Sequence, residues 1–258
     1  MNAVTGGPAS DPEAGTVVQF LGSGDAIGSG GRLPTAISIR AGSRHLLLDC
    51  GPATLPAMIR YGIDPGTVEA VVLTHLHGDH FAGIPFLVLH GQFRRREHPL
   101  LVVGPPGVEE RVLRTTDLFF PGSAQARRRF ELRFGELVAG VPAAVGPARV
   151  TAFAVTHPSG APAYALRLEI GSAIVAYTGD GEWSESIVEA ARGTDLLIAE
   201  AYTFDKPIKY HLDYATLDRN RARLACRRLI LTHMSDDMLA RRHEADADLA
   251  DDGLVLTI

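Results

Sequence analysis

Six consecutive positions, His75-Leu76-His77-Gly78-Asp79-His80, hold three imidazoles and a carboxylate directly behind the apolar run Val68-Glu69-Ala70-Val71-Val72-Leu73-Thr74. Val71, Val72 and Leu73 have the pattern of a strand buried on both faces, so the cluster falls on the turn at a strand's carboxyl end, a rigid place from which to hang ligands. His75 and His77, two apart in extended chain, face one way, while Gly78 lets the backbone turn so that Asp79 and His80 address a different point. The geometry points to two metals rather than one. Packing gives no reason for such a cluster, because grouped imidazoles cost desolvation and repel when protonated unless a cation or an acid binds them. A lone histidine among apolar residues is usually a satisfied core or surface residue, and His45, His90, His98 and His243 are read that way.

The chain of 258 residues is long enough to bury a large core, in one elaborate α/β domain or two small ones. Two cysteines, Cys50 and Cys226, make no disulfide framework, so a reducing, cytoplasmic compartment is expected. No apolar stretch approaches the roughly 20 residues of a membrane helix, which leaves no membrane partner. Residues 1–15, rich in Gly, Pro, Ala and acidic residues, read as a disordered tail and not as a signal peptide. A formal net charge of -5 gives no global attraction to nucleic acid. The runs Arg94-Arg95-Arg96 and Arg127-Arg128-Arg129, and the series Arg219, Arg221, Arg223, Arg227 and Arg228, are read as solvated faces.

Short apolar runs alternate with helical stretches from Thr16 almost to the end with no dividing linker, so residues 16–258 are expected to form one domain. Strands are expected over 16–21, 35–40, 44–49, 68–74 and 100–103, with helices over 53–61, 81–90 and 108–118. The second half repeats that logic, with strands over 149–156, 164–170, 173–178, 195–199 and 228–231 and a helix over 214–226 capped by Asp213. Each strand delivers a polar residue at its end: His157, Asp180, Glu200 and His233. With the six-residue cluster, His157, Asp180 and His233 supply the ligand count that two closed-shell cations need when one solvent bridges them. Gly22-Ser23-Gly24-Asp25-Ala26-Ile27-Gly28 misses the spacing of a dinucleotide loop and reads as a turn close under the metal site.

These motifs together resemble the metallo-β-lactamase fold superfamily and, within it, the ribonuclease Z-like phosphodiesterase branch. Phe20-Leu21-Gly22-Ser23-Gly24, Leu48-Asp49-Cys50-Gly51, the histidine cluster, Thr156-His157-Pro158, Thr178-Gly179-Asp180 and Thr232-His233-Met234-Ser235 fall in the family's order. The resemblance implies an αββα sandwich, an α/β four-layer fold, with metals at one edge. It implies that His75, His77 and His157 hold one metal, that Asp79, His80 and His233 hold the other, and that Asp180 bridges them. Asp49 is implied to orient a ligand imidazole, with a turn cap as the alternative. Glu200 and His211 match the pair that such enzymes place near the scissile phosphate, so Asp79, Glu200 and His211 are the expected catalytic residues. Lys206 and Lys209, the only two lysines, lie between that pair and are candidate phosphate contacts.

With two divalent cations, two carboxylates and a shared hydroxide, the centre carries a residual charge of about +1, which favours an anionic ester. The expected activity is hydrolysis of small or cyclic nucleotide-type phosphodiesters by attack of the shared hydroxide, with zinc suiting the ligands best and manganese or iron(II) acceptable. The first alternative is a tRNA 3′-end endoribonuclease, against which stands the tight connection at Glu169-Ile170-Gly171, where the tRNA enzymes are expected to carry a gripping arm. Segment 121–129 is the best substitute for such an arm and is short. Leu212-Asp213-Tyr214, after His211, also departs from the small-residue pair usual in the tRNA enzymes. Further alternatives are a lactonase, thioesterase or sulfatase of the same fold, or a metal-binding module without catalysis. A homodimer is the expected assembly.

Overall fold

The structure, a computed structural model, describes residues 15–258, so the tail expected at the N-terminus lies outside the described residues apart from Gly15. Two seven-stranded sheets face each other. The first contains β1 (Val17–Gly22), β2 (Ala36–Ala41), β3 (Arg44–Leu48), β4 (Ala70–Val72), β5 (Leu100–Gly104) and β6 (Leu132–Glu136). The second contains β7 (Ala143–Val145), β8 (Ala148–Val155), β9 (Ala163–Ile170), β10 (Ala173–Tyr177), β11 (Thr194–Glu200), β12 (Cys226–Thr232) and β13 (Asp248–Leu249), after which β14 (Val255–Thr257) returns to pair with β1. Helices α1 (Thr54–Arg60), α2 (Gly78–Phe81), α3 (Ile84–Phe93) and α4 (Val108–Phe119) belong to the first half, and α5 (Glu185–Ala191), α6 (Tyr214–Arg219) and α7 (Asp236–Ala240) to the second. In each sheet an antiparallel part leads into parallel strands, β3 to β6 in one and β10 to β13 in the other.

Strand alternation explains the four layers. Leu46, Leu48, Ala70 and Val72 point into the core between the sheets, while Leu47 and Val71 point the other way, beneath α1, α3 and α4. On the second sheet, Leu196 and Ile198 enter the shared core and Leu197 and Ala199 pack under α5, α6 and α7. Both faces of the central strands are therefore covered, as their unbroken apolar runs require. A fully buried Leu or Ile contributes roughly 2 kcal/mol, whereas an exposed ion pair contributes under about 1 kcal/mol. Apolar packing, not the exposed ion pairs, joins the two sheets. The chain thus forms an αββα sandwich.

Several boundaries differ from the sequence expectation. The helix expected over 81–90 is two helices, α2 and α3, because the turn after β3 presses against the break. Gly83 N–H donates to the Cys50 carbonyl at 2.8 Å, and a Cβ on Gly83 would lie 2.2 Å from the Gly51 oxygen. The helix expected over 214–226 starts at its Asp213 cap but stops at Arg219, where the Asn220 amide donates to the Thr216 carbonyl at 2.9 Å. Strands β6, β7, β13 and β14 and helices α5 and α7 have no counterpart in the sequence expectation.

Two arginines read as solvated are structural. Arg96 is buried, and its guanidinium donates to the carbonyls of Val68 and, at 2.7 Å, Pro99, while its Nε donates to that of His98, also at 2.7 Å. Arg128 folds back onto the Ser123 carbonyl at 2.6 Å and braces segment 121–129. Arg221, Arg223, Arg227 and Arg228 pair with acidic side chains at the surface.

His45 is a core histidine, as its apolar setting predicts. Thr67 Oγ1 donates to the Asp64 carbonyl and so accepts from His45 Nδ1, leaving Nε2 to accept from Ser38 Oγ at 2.9 Å. A neutral ring satisfies both bonds. Burial, helped by nearby Arg40, pushes its pKa down to about 4. Between about pH 6.5 and 4 the unfolded chain binds a proton that the folded chain refuses, so the stability is fully present above that window and is lost as pH falls through it. The expected loss is on the order of 3 kcal/mol. Urea unfolding of the protein and of His45→Gln across pH 7.5 to 4.5 tests this, and equal pH slopes for the two would exclude His45.

Candidate metal centre

Strand ends from both sheets meet at one rim. The loop after β4 carries His75 and His77, α2 carries Asp79 and His80, and β8, β10 and β12 end just before His157, Asp180 and His233. His75, His77 and His157 bring ligand atoms within 4.8 Å of one another, and Asp79, His80, Asp180 and His233 form a second such group. Asp180 Oδ2 lies 3.2 Å from His233 Nε2 and 3.4 Å from His80 Nε2. The same oxygen is 3.9 Å from His157 Nε2 and 4.0 Å from His75 Nε2, so one carboxylate faces both groups.

The outer nitrogens are already committed. His80 Nδ1 is 2.7 Å from Asp49 Oδ2, His157 Nδ1 donates to the Tyr210 carbonyl at 2.8 Å, and His233 Nδ1 meets Thr35 Oγ1 at 3.1 Å. Thr35 Oγ1 donates to the Gly24 carbonyl and Thr74 Oγ1 to Asp49, so each accepts from the neighbouring Nδ1, of His233 and His75 respectively. In four of the five histidines Nδ1 thus carries the proton and Nε2 turns a lone pair inward. His77 instead turns Nδ1 inward, 3.0 Å from His157 Nε2. Asp49 does both things expected of it in alternative, orienting His80 and capping the turn by accepting from Thr74 N–H at 2.9 Å.

Buried atoms of this cluster have no partner of their own. His75 Nε2, His80 Nε2 and Asp180 Oδ1 make no hydrogen bond, and a fully buried polar atom without a partner is costly. Two ligands on one tetrahedral cation, each near 2.0 Å from it, sit about 3.3 Å apart, and the inward atoms here lie 3.0 to 3.4 Å from their neighbours. Imidazole and carboxylate donors at that spacing fit a divalent cation, and the cluster is a divalent metal site. The charges inside it compensate each other. Burial opposes charge on His80, but with no cation present Asp180, Asp49 and Asp79 raise its pKa well above the usual histidine value, which favours a proton on Nε2 that a bound cation would displace, and His233 and His80 hold Asp180 well below the usual carboxylate range against its burial.

Residues 44–234 match the beta-lactamase superfamily domain, most of the chain. The chain belongs to the metallo-β-lactamase superfamily, in its ribonuclease Z-like branch. Ribonuclease Z of Methanothermobacter thermautotrophicus is 32% identical over 84% of this chain and 86% of that protein. Human tRNase Z, short form, superposes with a TM-score of 0.75 at 24% identity, covering 94% of this chain and 99% of that one. A diphosphatase from the PhnP family superposes with a TM-score of 0.74 at 22% identity, covering 94% and 98%. At those identities the two structures speak for the fold. The protein is a hydrolase of the metallo-β-lactamase fold.

Beside the metal cluster of this hydrolase stand Glu200 and His211. Glu200, at the end of β11, is fully buried and lies 2.5 Å from His211 Nδ1 through Oε1. Its Oε2 accepts from Gly181 N–H at 2.9 Å and Leu212 N–H at 3.1 Å, which locks the carboxylate. Burial and then Asp180 push the Glu200 pKa up, and Glu200 raises that of His211 against the ring's own burial. The His211 ring stacks on Tyr202 at 4.4 Å and meets His157 edge-on at 5.0 Å. Tyr202, Thr35 and the Tyr210 carbonyl escaped sequence reading, since a backbone carbonyl leaves no signature and Thr35 lies far along the chain from His233. Lys206 and Lys209 are exposed, and Lys209 Nζ lies 4.6 Å above the Tyr210 ring. The Gly22–Gly28 turn does run against the site, its Ser23 carbonyl accepting from His233 N–H at 3.0 Å.

Backbone strain gathers here. Of the four non-glycine residues with positive φ among the described residues, Asp49, Tyr210 and His233 belong to this site. Gly179 shows why the chain needs glycine before Asp180. Its φ is +58°, and a Cβ would lie 2.9 Å from Thr74 Cβ and from the Tyr164 oxygen. Gly179→Ala is expected to lose on the order of 3 kcal/mol of stability and to displace Asp180, read by urea unfolding together with metal content. A variant as stable and metal-replete as the parent would refute the close-approach argument.

Proposed function

We propose that this hydrolase is a phosphodiesterase that holds two divalent ions, zinc by preference, and cleaves small or cyclic nucleotide-type phosphodiesters. Residues 16–258 act as its catalytic domain. His75, His77 and His157 hold one ion, Asp79, His80 and His233 the other, and Asp180 is shared between them. Bound ions would supply water activation and positive charge to offset the charge that grows on phosphate oxygens. Asp79, whose side chain is 13% exposed against 3% for Asp180, is the cluster carboxylate placed to take a proton from water entering the site.

The observation that carries the reading is the Glu200–His211 pair. Glu200 accepts the Nδ1 proton and fixes the ring, and His211 Nε2, on a side chain 22% exposed, donates to the leaving oxygen of a bound diester. A neutral amide or lactone has less need of a cationic donor at that place. The relative named ribonuclease Z favours a second reading, tRNA 3′-end cleavage. Against it, β9 and β10 join tightly at Gly171 and Ser172, with Ile170 opposite Ala173, and no arm intervenes.

Both cysteines are free thiols, in keeping with the cytoplasm, and among the described residues no helix is long and apolar enough to cross a membrane. A homodimer belongs to the same reading, and light scattering checks it. Purified, metal-assayed protein should be offered bis(p-nitrophenyl) phosphate, cyclic nucleotides, a precursor tRNA and a lactone side by side. Preference for a small diester is expected. Preference for precursor tRNA moves the assignment to the second reading, and preference for the lactone overturns both.

A further inference from the structure

A cleft of about 810 Å³ opens beside the metal centre, between α4 and segment 121–129. Leu76, which separates His75 from His77, lines it, as does Gly160, three residues beyond His157. The cleft therefore adjoins both loops that carry the first ligand group. Arg111, half-buried on α4, spans them: its Nη1 is 3.4 Å from the Leu76 carbonyl, and its Nη2 would lie 3.1 Å from a Cβ on Gly160.

Among the described residues Arg111 is a cation without an anion. The acidic groups around the cleft are engaged elsewhere, Glu110 with Arg114 at 3.2 Å and Asp117 with the Gly122 N–H at 2.7 Å. Glu136 accepts from Gly107 N–H at 2.7 Å. Among the described residues Arg111 makes no ion pair and has one long bond to a carbonyl, so most of its five N–H donors face the cleft or solvent. An arginine fork held at the wall of a cleft matches the paired oxygens of a phosphate or carboxylate. The cleft also falls within the size range of small-molecule sites.

We infer that this cleft is a substrate subsite in which Arg111 holds a phosphate other than the scissile one. The inference rests on the phosphodiesterase reading and narrows it: favoured substrates are nucleotide-type diesters that bear an additional terminal phosphate. The scissile phosphate would lie at the ligand groups that would hold the metal while Arg111 anchors the next phosphate. A substrate without that second charge is turned over with a higher KM.

The test compares the dinucleotide thymidylyl-thymidine, with and without a 5′-terminal phosphate, and bis(p-nitrophenyl) phosphate on the metal-loaded protein, Arg111→Gln and Arg111→Lys. Arg111→Gln is expected to raise KM for the phosphorylated dinucleotide by on the order of 10- to 100-fold. Its kcat, its metal content and its rates on the other two substrates stay within about twofold, and Arg111→Lys regains part of the affinity. Equal KM changes on both dinucleotides, or none on either, would overturn the subsite. If the parent cleaves no diester at all, the phosphodiesterase reading fails separately. Calorimetric titration of thymidine 5′-monophosphate into chelator-treated protein then decides the subsite alone: binding weakened about tenfold or more in Arg111→Gln supports it, and equal binding removes it.

Discussion

Replacing Asp180 with alanine is expected to strip metal from the protein and to lower turnover by on the order of 1,000-fold or more. Asp180 Oδ2 is the one oxygen that faces ring nitrogens of both ligand groups, at 3.2 to 4.0 Å. On the proposed assignment its loss removes a ligand from each ion, and it leaves two orphaned imidazole nitrogens, His75 Nε2 and His80 Nε2, with less negative charge nearby. Metal catalysis of this type is worth several kcal/mol, or about three decades at 1.36 kcal/mol per decade. Elemental analysis and diester turnover measured on the same sample check it. A variant that keeps the parent's metal content and rate would remove Asp180 from the shared position.

His211→Ala separates proton donation from metal holding. On a dinucleotide, whose leaving oxygen needs a proton, turnover should fall on the order of 100-fold or more, with metal content unchanged. On bis(p-nitrophenyl) phosphate, whose phenolate leaves without help, the loss should be much smaller. Glu200→Gln should follow the same pattern, because Glu200 Oε1 fixes the His211 ring. Equal losses on the two substrates would point to a binding or structural role instead, and an unaltered dinucleotide rate would end the proton-donor assignment.

The central frame was legible because burial on both faces leaves a strong mark. Leu46-Leu47-Leu48 and Ala70-Val71-Val72 have no polar alternation, and they turn out to be sandwiched between a sheet and a helical layer. The edges were not legible. Strand β6 has no buried position and mixes intermediate and exposed ones without alternation, and β13 and β14 have two and three residues, too short to show a period. The spacing of the six-residue cluster pointed to two separate ligand groups, which the structure assembles, but not to which nitrogen of each ring turns inward. That choice depends on Thr35, Thr74, Asp49 and the Tyr210 carbonyl, whose partners lie up to 198 residues away along the chain. Arg96 and Arg128 depart from the solvated expectation for a related reason: a run of arginines looks the same whether it meets water or a set of carbonyls.

The division of ligands between the sheets makes the rim a clasp. His75, His77, Asp79 and His80 come from the first half of the chain and His157, Asp180 and His233 from the second, so neither half owns either ligand group. Metal occupancy is therefore expected to report that the halves have docked in register, while hydrogen bonds that cross the same rim, from Tyr164 N–H to the Thr74 carbonyl and from His233 N–H to the Ser23 carbonyl, both at 3.0 Å, hold this edge together. The enzyme gains its chemistry only after its longest-range contacts are made, so a partly folded chain has no hydrolytic centre.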